Sequence, residues 1–275
     1  MASSFQIISS LRYDPALPNA IAQCAAHSYP DPLRTPYYLL PYHQDRLINA
    51  ARHFNWHHAL SFLEQDLSTF VSLLDCFISD RAKPWRLRVV VEDKPTARGG
   101  FVVEVNPTAS IEPSQLLLPS EGSVHKPAES LWRVYVDTQP IVPSAFTTHK
   151  TTAREYYTAA RERAGIKLSQ EQAEVLVVNP AGEVMEGSIT TPYFRWRSGT
   201  ASDDDKTSPE WITPPLSCGG NAGTTRRYAL AQGFCTEQVI STSELVDGEE
   251  CWLSNGVRGF MRGIVVLEGR SEVRI

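Results

Sequence analysis

Lys150 lies in the segment FTTHKTTAREYY, where a proline-interrupted extended stretch passes into a helix. A solvated surface amine is the ordinary reading of such a residue. Desolvated beside other cations, however, an amine has a lowered pKa and can form a Schiff base with a carbonyl compound. Glu186 lies in NPAGEVMEGSITTPYF. Asn179, Pro180, Ala181 and Gly182 form a turn signal, which puts Glu186 toward the end of a short strand after a hairpin. It can be one exposed acid among 31. Val184, Met185 and Ile189 around it instead predict partial burial, and a buried carboxylate needs a partner.

Residues 213–227 read TPPLSCGGNAGTTRR and run into the apolar stretch YALAQGF. A glycine-rich turn followed by Thr224 and Thr225 at a helix start presents backbone N–H groups and hydroxyls suited to a phosphate dianion. Threonine at that position also serves as a simple N-cap. Ser254, Asn255 and Gly256 follow the strand-like ECWL, where turn chemistry accounts for them as well as ligand binding does. Arg46 is three residues after His43 and four before Ala50. Beside that apolar stripe its side chain either snorkels or directs a guanidinium at a phosphate. His53 and His57 form an i,i+4 pair, but the segment offers no third ligand, so no metal is expected. No nucleophile elbow or nucleotide-type glycine loop appears.

These residues must be held by two kinds of element. Residues 5–11, 86–92 and 100–105 are rich in β-branched types and read as strands. Between them, apolar residues recur at helical spacing over 42–54 (Leu47, Ala50, Ala51, Phe54) and over roughly 57–80 (Leu60, Leu63, Leu67, Phe70, Val71, Leu74, Phe77). Pro107, Pro113, Pro119, Gly122 and Pro127 interrupt any periodicity. The domains are therefore expected at 1–118 and 131–275, with a connection at 119–130. The second contains strands at 131–137, 174–179, 193–197, 236–240 and 251–254, and helices at 151–164 and 224–233. Residues 198–210, SGTASDDDKTSPE, read as a long solvated hairpin loop.

At about 150 residues per domain, 275 residues correspond to two domains. Lys and Arg number 26 against 31 Asp and Glu, a net charge of −5. Neither half is basic, which argues against a protein that lives on phosphate backbones or anionic membranes. Hydrophobic content of 42% with 21% charged residues is that of a globular chain. The five cysteines are odd in number and widely spaced, with no C-x-x-C pair, and read as buried apolar groups in a reducing compartment. MASSFQIISSLRYD lacks the form of a secretory signal, and no apolar run approaches the ~18 residues of a membrane span. A cytoplasmic protein is expected.

Taken in order, Arg46, Lys150, GEVMEGS with Glu186, TPPLS…AGTTR and LSN resemble the fold-type IV pyridoxal-phosphate enzymes. This family comprises branched-chain and D-amino-acid aminotransferases and 4-amino-4-deoxychorismate lyase. The resemblance runs from the first strand through essentially the whole chain. It is most specific at TPP…GTTR and at the 36-residue spacing from Lys150 to Glu186. It implies an α+β fold with a small N-terminal domain and a larger mixed-sheet, barrel-like C-terminal one. It also implies pyridoxal 5'-phosphate as cofactor, a homodimer, and a small-molecule substrate. By position, Lys150 would carry the cofactor and act as catalytic base, and Glu186 would face the pyridine nitrogen. Arg46, Thr224, Thr225, Ser254 and Asn255 would surround the phosphate.

Within the family the residues after the lysine, KTTARE, resemble the lyase pattern, with Arg154 at +4. Aminotransferases commonly carry tyrosine at +5, where Glu155 stands here. The implied reaction converts 4-amino-4-deoxychorismate to 4-aminobenzoate and pyruvate, a step toward folate precursors. Arg12 and Arg98 are the candidates for the substrate's two carboxylates, each equally readable as a plain surface arginine. Two alternatives stay open: an aminotransferase acting on branched-chain, D-amino or (R)-amine substrates, and a non-catalytic homologue. The chain departs from the family pattern at Thr191, where asparagine is common, and in beginning almost at the first small-domain strand.

Overall fold

The computed structural model describes residues 5–23, 29–95, 100–119, 131–168, 171–195 and 210–267. By internal packing the chain divides into two units. The first comprises Met1–Leu118 with His149–Ala153 and Gly256–Gly259, and the second comprises the rest. The division expected from sequence is contiguous; these units are not, because the chain contributes two short later segments to the first. Residues 120–130 of the expected connection lie outside the described residues.

The first unit holds β1 (Ile7–Tyr13), α1 (Leu17–Gln23), α2 (Leu40–His53), α3 (His57–Leu63), α4 (Leu67–Asp75), β2 (Trp85–Val91) and β3 (Val102–Pro107). The strands form an antiparallel sheet in the order β1-β2-β3. Alternation along β2 buries Leu87, Val89 and Val91. Against them pack Leu47, Ala50 and Ala51 of α2 and Leu63, Phe70 and Leu74 of the next two helices.

The single helix expected over 57–80 is two. Asp66 stops the first and caps the second: its carboxylate accepts from the Thr69 amide at 3.0 Å and the Thr69 hydroxyl at 2.7 Å. The Ser68 hydroxyl, which also donates to it, and then these Thr69 donors hold its carboxyl below the usual carboxylate range. The apolar spacing survives the break because both helices face one core, so periodicity alone does not reveal it.

The second unit is built on one eight-stranded mixed sheet. Its strands are β4 (Trp132–Val136), β5 (Ala173–Val178), β6 (Val184–Gly187), β7 (Thr191–Arg195), β8 (Trp211–Thr213), β9 (Cys235–Glu237), β10 (Glu250–Asn255) and β11 (Gly259–Val265). They run in the order β6-β5-β4-β11-β10-β7-β8-β9. With the short α5 (Ala145–Thr148), α6 (Glu155–Arg163) and α7 (Thr224–Ala231) added, this is the mixed α+β architecture expected. β5 is buried along its whole length and pairs with parallel β4 and antiparallel β6. Such a strand reads as a continuous apolar run, here interrupted by Glu174.

Several elements differ from expectation. The helix expected from 151 begins at Glu155, because residues 150–152 lie extended along β1. α1 carries little periodicity of its own and was not legible, whereas the strand-like piece expected directly after residue 210 is the short β8. β11, expected as part of no element, supplies the parallel neighbour of β4.

Candidate functional site

Lys150 belongs to the first unit. Its carbonyl accepts from the Ile8 amide at 2.9 Å, and Thr152 exchanges 2.9 Å hydrogen bonds with Gln6 on either side. The β-branched Thr151 forms a bridge with Ile7. The main chain around Lys150 is thus pinned to a sheet edge rather than left in a free loop. His149 beside it lies tilted against His53 with ring centroids 4.4 Å apart, and burial first, then that neighbour, pulls its pKa down.

Arg46 projects from α2 toward β1. Its Nη2 donates to Ser9 Oγ at 2.5 Å and lies 3.3 Å from His43 Nδ1, while Ser9 Oγ and His43 Nδ1 are 2.7 Å apart. Ser9 and His43 are both buried. Gly256 closes on this network: a Cβ there would stand 2.8 Å from His43 Nε2 and 3.0 Å from the Ser10 carbonyl. Its carbonyl accepts from the Arg12 amide at 3.0 Å.

Arg12 is not the surface arginine allowed for. It is 1% exposed; Nε donates to Asp14 at 2.7 Å and Nη2 to the Ala109 carbonyl at 3.0 Å. A guanidinium so engaged takes part in the packing of the first unit. Arg98 lies outside the described residues, as does the loop 198–209.

Glu186, Thr224, Thr225, Ser254 and Asn255 belong to the second unit. The β5–β6 hairpin turns at Asn179–Gly182 as the sequence predicts, with Gly182 at φ 77°. Glu186 is half-buried near the end of β6. Its Oε1 accepts from the Tyr157 hydroxyl at 2.6 Å. The Arg154 guanidinium covers that tyrosine ring 4.1 Å from its centroid. Burial, and then the Glu186 charge, push the Tyr157 pKa up, so its proton stays on as a donor to the carboxylate.

The glycine-rich turn packs directly against β6. A Cβ on Gly220 would stand 2.4 Å from the Met185 carbonyl and 3.4 Å from Glu186 Cβ, and one on Gly223 would stand 2.8 Å from Thr191 Oγ1. Only glycine allows this approach. α7 then starts at Thr224 with Gly223 at the cap and no side-chain capping bond. The N-cap explanation of the threonines therefore does not hold. Instead Thr225 Oγ1 accepts from Ser254 Oγ at 2.7 Å, and Ser254 Oγ meets the Tyr193 hydroxyl at 2.8 Å. Ser254 pairs with Thr191 across β10 and β7. Thr224, Thr225, Ser254 and Tyr193 are all buried. The nearby Arg226 is engaged by Glu237 and by the Pro214 carbonyl at 2.8 Å.

Buried hydroxyls and the first turn of a helix are groups suited to an anionic oxygen group, and the carboxylate beside them is suited to a cationic or protonated nitrogen. The sequence pattern of amino-transferase class IV proteins matches residues 34–264. The chain belongs to that family. It is 36% identical to aminodeoxychorismate lyase of Saccharomyces cerevisiae over 144 residues, which are 49% of this chain and 37% of the relative. The chain thus spans well under half the length of this curated relative. Among solved structures it resembles a candidate amino-acid aminotransferase from Mesorhizobium loti (20% identity, TM-score 0.64, 96% of this chain and 100% of that one). It also resembles the PLP-bound form of a hypothetical aminotransferase from Mycobacterium tuberculosis (17% identity, TM-score 0.58, 96% and 81%). At these identities the structural likeness speaks for the fold.

Sequence reasoning missed Tyr157, Ser9, His43 and Tyr193 as partners of the named residues. Two of them had a signal: Tyr157 stands seven residues after Lys150 and three before the buried Ala160 on one helix face, and His43 stands three residues before Arg46 on α2. Ser9 and Tyr193 act through contacts between elements distant in sequence.

Proposed function

We propose that this chain is a pyridoxal-phosphate-dependent lyase that converts 4-amino-4-deoxychorismate to 4-aminobenzoate and pyruvate. The observation that carries the cofactor reading is the second unit's pairing of a tyrosine-held carboxylate with a glycine-lined cradle of buried hydroxyls. That donor set fits a phosphorylated pyridine: hydroxyls and helix N–H groups for the phosphate, and a carboxylate for the ring nitrogen. Thr224, Thr225, Ser254 and Asn255, with Arg46, would hold the phosphate; Glu186 would take the ring nitrogen; Lys150 would hold the aldehyde carbon. Bound pyridoxal phosphate supplies an electron sink.

Each residue's task follows from its chemistry. Glu186, oriented by the Tyr157 hydroxyl that donates to it, would favour the protonated form of the ring nitrogen. Lys150 Nζ would take the proton from the ring carbon that loses C–H and return it to the enolpyruvyl methylene carbon as the C–O bond breaks, so that pyruvate leaves and the ring becomes aromatic. The lyase assignment over transamination is supported by the similarity to the yeast lyase and by Arg154, four residues after Lys150, which is locked over the Tyr157 ring. We further propose a cytoplasmic homodimer, checked by light scattering and cell fractionation.

Borohydride reduction of purified protein loaded with pyridoxal phosphate should fix the cofactor on the peptide containing Lys150. A Lys150→Ala protein that still gives a reducible adduct would sink the assignment. Supplied with freshly made aminodeoxychorismate, the protein should release fluorescent 4-aminobenzoate and an equal amount of pyruvate. Amino transfer to 2-oxoglutarate or pyruvate without that release would replace the lyase by an aminotransferase.

A further inference from the structure

Glu174 is a carboxylate with no exposure that the chemistry above does not use. It stands on β5, next to the strand of Glu186. Its Oε1 accepts from the Val175 amide at 2.8 Å and the Ser188 hydroxyl at 2.5 Å; its Oε2 accepts from the Ile189 amide at 3.1 Å and the Thr190 hydroxyl at 2.7 Å. Arg161 Nη1 lies 3.7 Å from Oε1 and donates to Ser188 Oγ at 3.0 Å. A buried carboxylate is tolerated only when its lone pairs are met. Each oxygen here receives two donors, and three of the four come from residues 188–190, the loop immediately after Glu186 and Gly187.

The same loop grips α6. Arg154 Nη2 donates to the Ser188 carbonyl at 2.5 Å, and its guanidinium covers the Tyr157 ring. Gly187 has no room for a side chain: a Cβ there would stand 2.5 Å from Thr190 Oγ1 and 2.9 Å from the Glu174 carboxyl carbon. Every covalent neighbour of Glu186 on its C-terminal side is therefore anchored on Glu174, directly or through a residue that is.

We infer that Glu174 is a positioning residue: through Ser188, Arg154 and Arg161 it fixes the loop behind Glu186 and the helix face bearing Tyr157, and so holds the Tyr157–Glu186 hydrogen bond. This deepens, and rests on, the reading of Glu186 as the group facing the pyridine nitrogen.

The two can fail separately. In apoprotein carrying ¹³C-labelled glutamate, the Glu186 carboxyl is assigned by its loss in Glu186→Gln and titrated by NMR. A hydrogen-bond donor favours the ionised carboxylate, so weakening it raises the titration midpoint. Glu174→Gln keeps the shape but turns one acceptor into a donor; it should raise the Glu186 midpoint by about half a pH unit, roughly threefold in proton affinity. Ser188→Ala, a milder change that spares the buried carboxylate, should move it the same way by less. Lowered stability with an unmoved Glu186 midpoint in both variants overturns the positioning role. An unchanged visible spectrum and pyridoxal-phosphate affinity in Glu186→Gln overturns the cofactor reading instead, and with it the functional part of the inference.

Discussion

The hydroxyl of Tyr157 donates to Oε1 of Glu186 across 2.6 Å, joining a helix that begins five residues after Lys150 to the strand that follows the β5–β6 turn. Hydrogen bonds to charged groups contribute about 1.5–3 kcal/mol. Tyr157→Phe keeps the ring under Arg154 and removes only the donor. Urea unfolding should show a loss in that range; an unchanged midpoint would mean that the contact contributes nothing.

Tyr37, Tyr157 and Tyr193 have pKa values pushed up by burial first, and Tyr13 shifts the same way. For each, the folded chain keeps a proton that the unfolded chain sheds near pH 10. Their stability is thus fully present below about pH 10 and is lost progressively as pH rises beyond it. In an alkaline titration, tyrosinate absorbance from these residues should appear with unfolding rather than before it. Smooth ionisation of all ten tyrosines in the folded protein near pH 10 would contradict this.

Burial pushes the Cys218 thiol up to about 11 and Cys235 up to about 12, and raises Cys251 as well. Among the described cysteines, Cys76 is the exposed one. The thiolate is the reactive species. Brief treatment with a thiol reagent at pH 8, followed by peptide mapping, should label Cys76 and spare these other three until denaturant is added.

Arg12 and Asp14 form an ion pair in which the side chains are 1% and 8% exposed. Removing one partner of such a pair leaves a buried charge and costs about 3–5 kcal/mol. Arg12→Ala should lose stability on that scale, and Arg12→Ala/Asp14→Ala should lose less than the sum of the single changes. A stable Arg12→Ala protein with a raised KM would restore Arg12 to the substrate site.

Ser254 is the hub between Thr225 and Tyr193. Ser254→Ala leaves two buried hydroxyls short of a partner, at about 1–3 kcal/mol, and should weaken pyridoxal-phosphate binding measured by fluorescence titration. Thr225→Val removes the same link from the other side and should act in the same direction. Unaltered affinity in both would place the phosphate elsewhere.

The amino-acid sequence by itself determines the local features of this protein. Asn179–Gly182 codes its own turn, β-branched runs code β1 and β2, and glycines at 219, 220 and 223 make possible a close backbone approach before a helix start. These follow from φ/ψ preferences and side-chain shape within a few residues, which is why Lys150, Glu186, Thr224, Thr225, Ser254 and Arg46 could be singled out from type and spacing. Tertiary structure decided what meets what. Only packing shows that Thr225 bonds Ser254 instead of capping its own helix, that Arg12 is taken by Asp14, and that the segment of Lys150 is drawn onto β1. It alone brings Tyr157 and the loop anchored by Glu174 to Glu186. A buried polar group must find its partner wherever the fold supplies one, and across 29 or 146 residues of chain no local pattern records the choice.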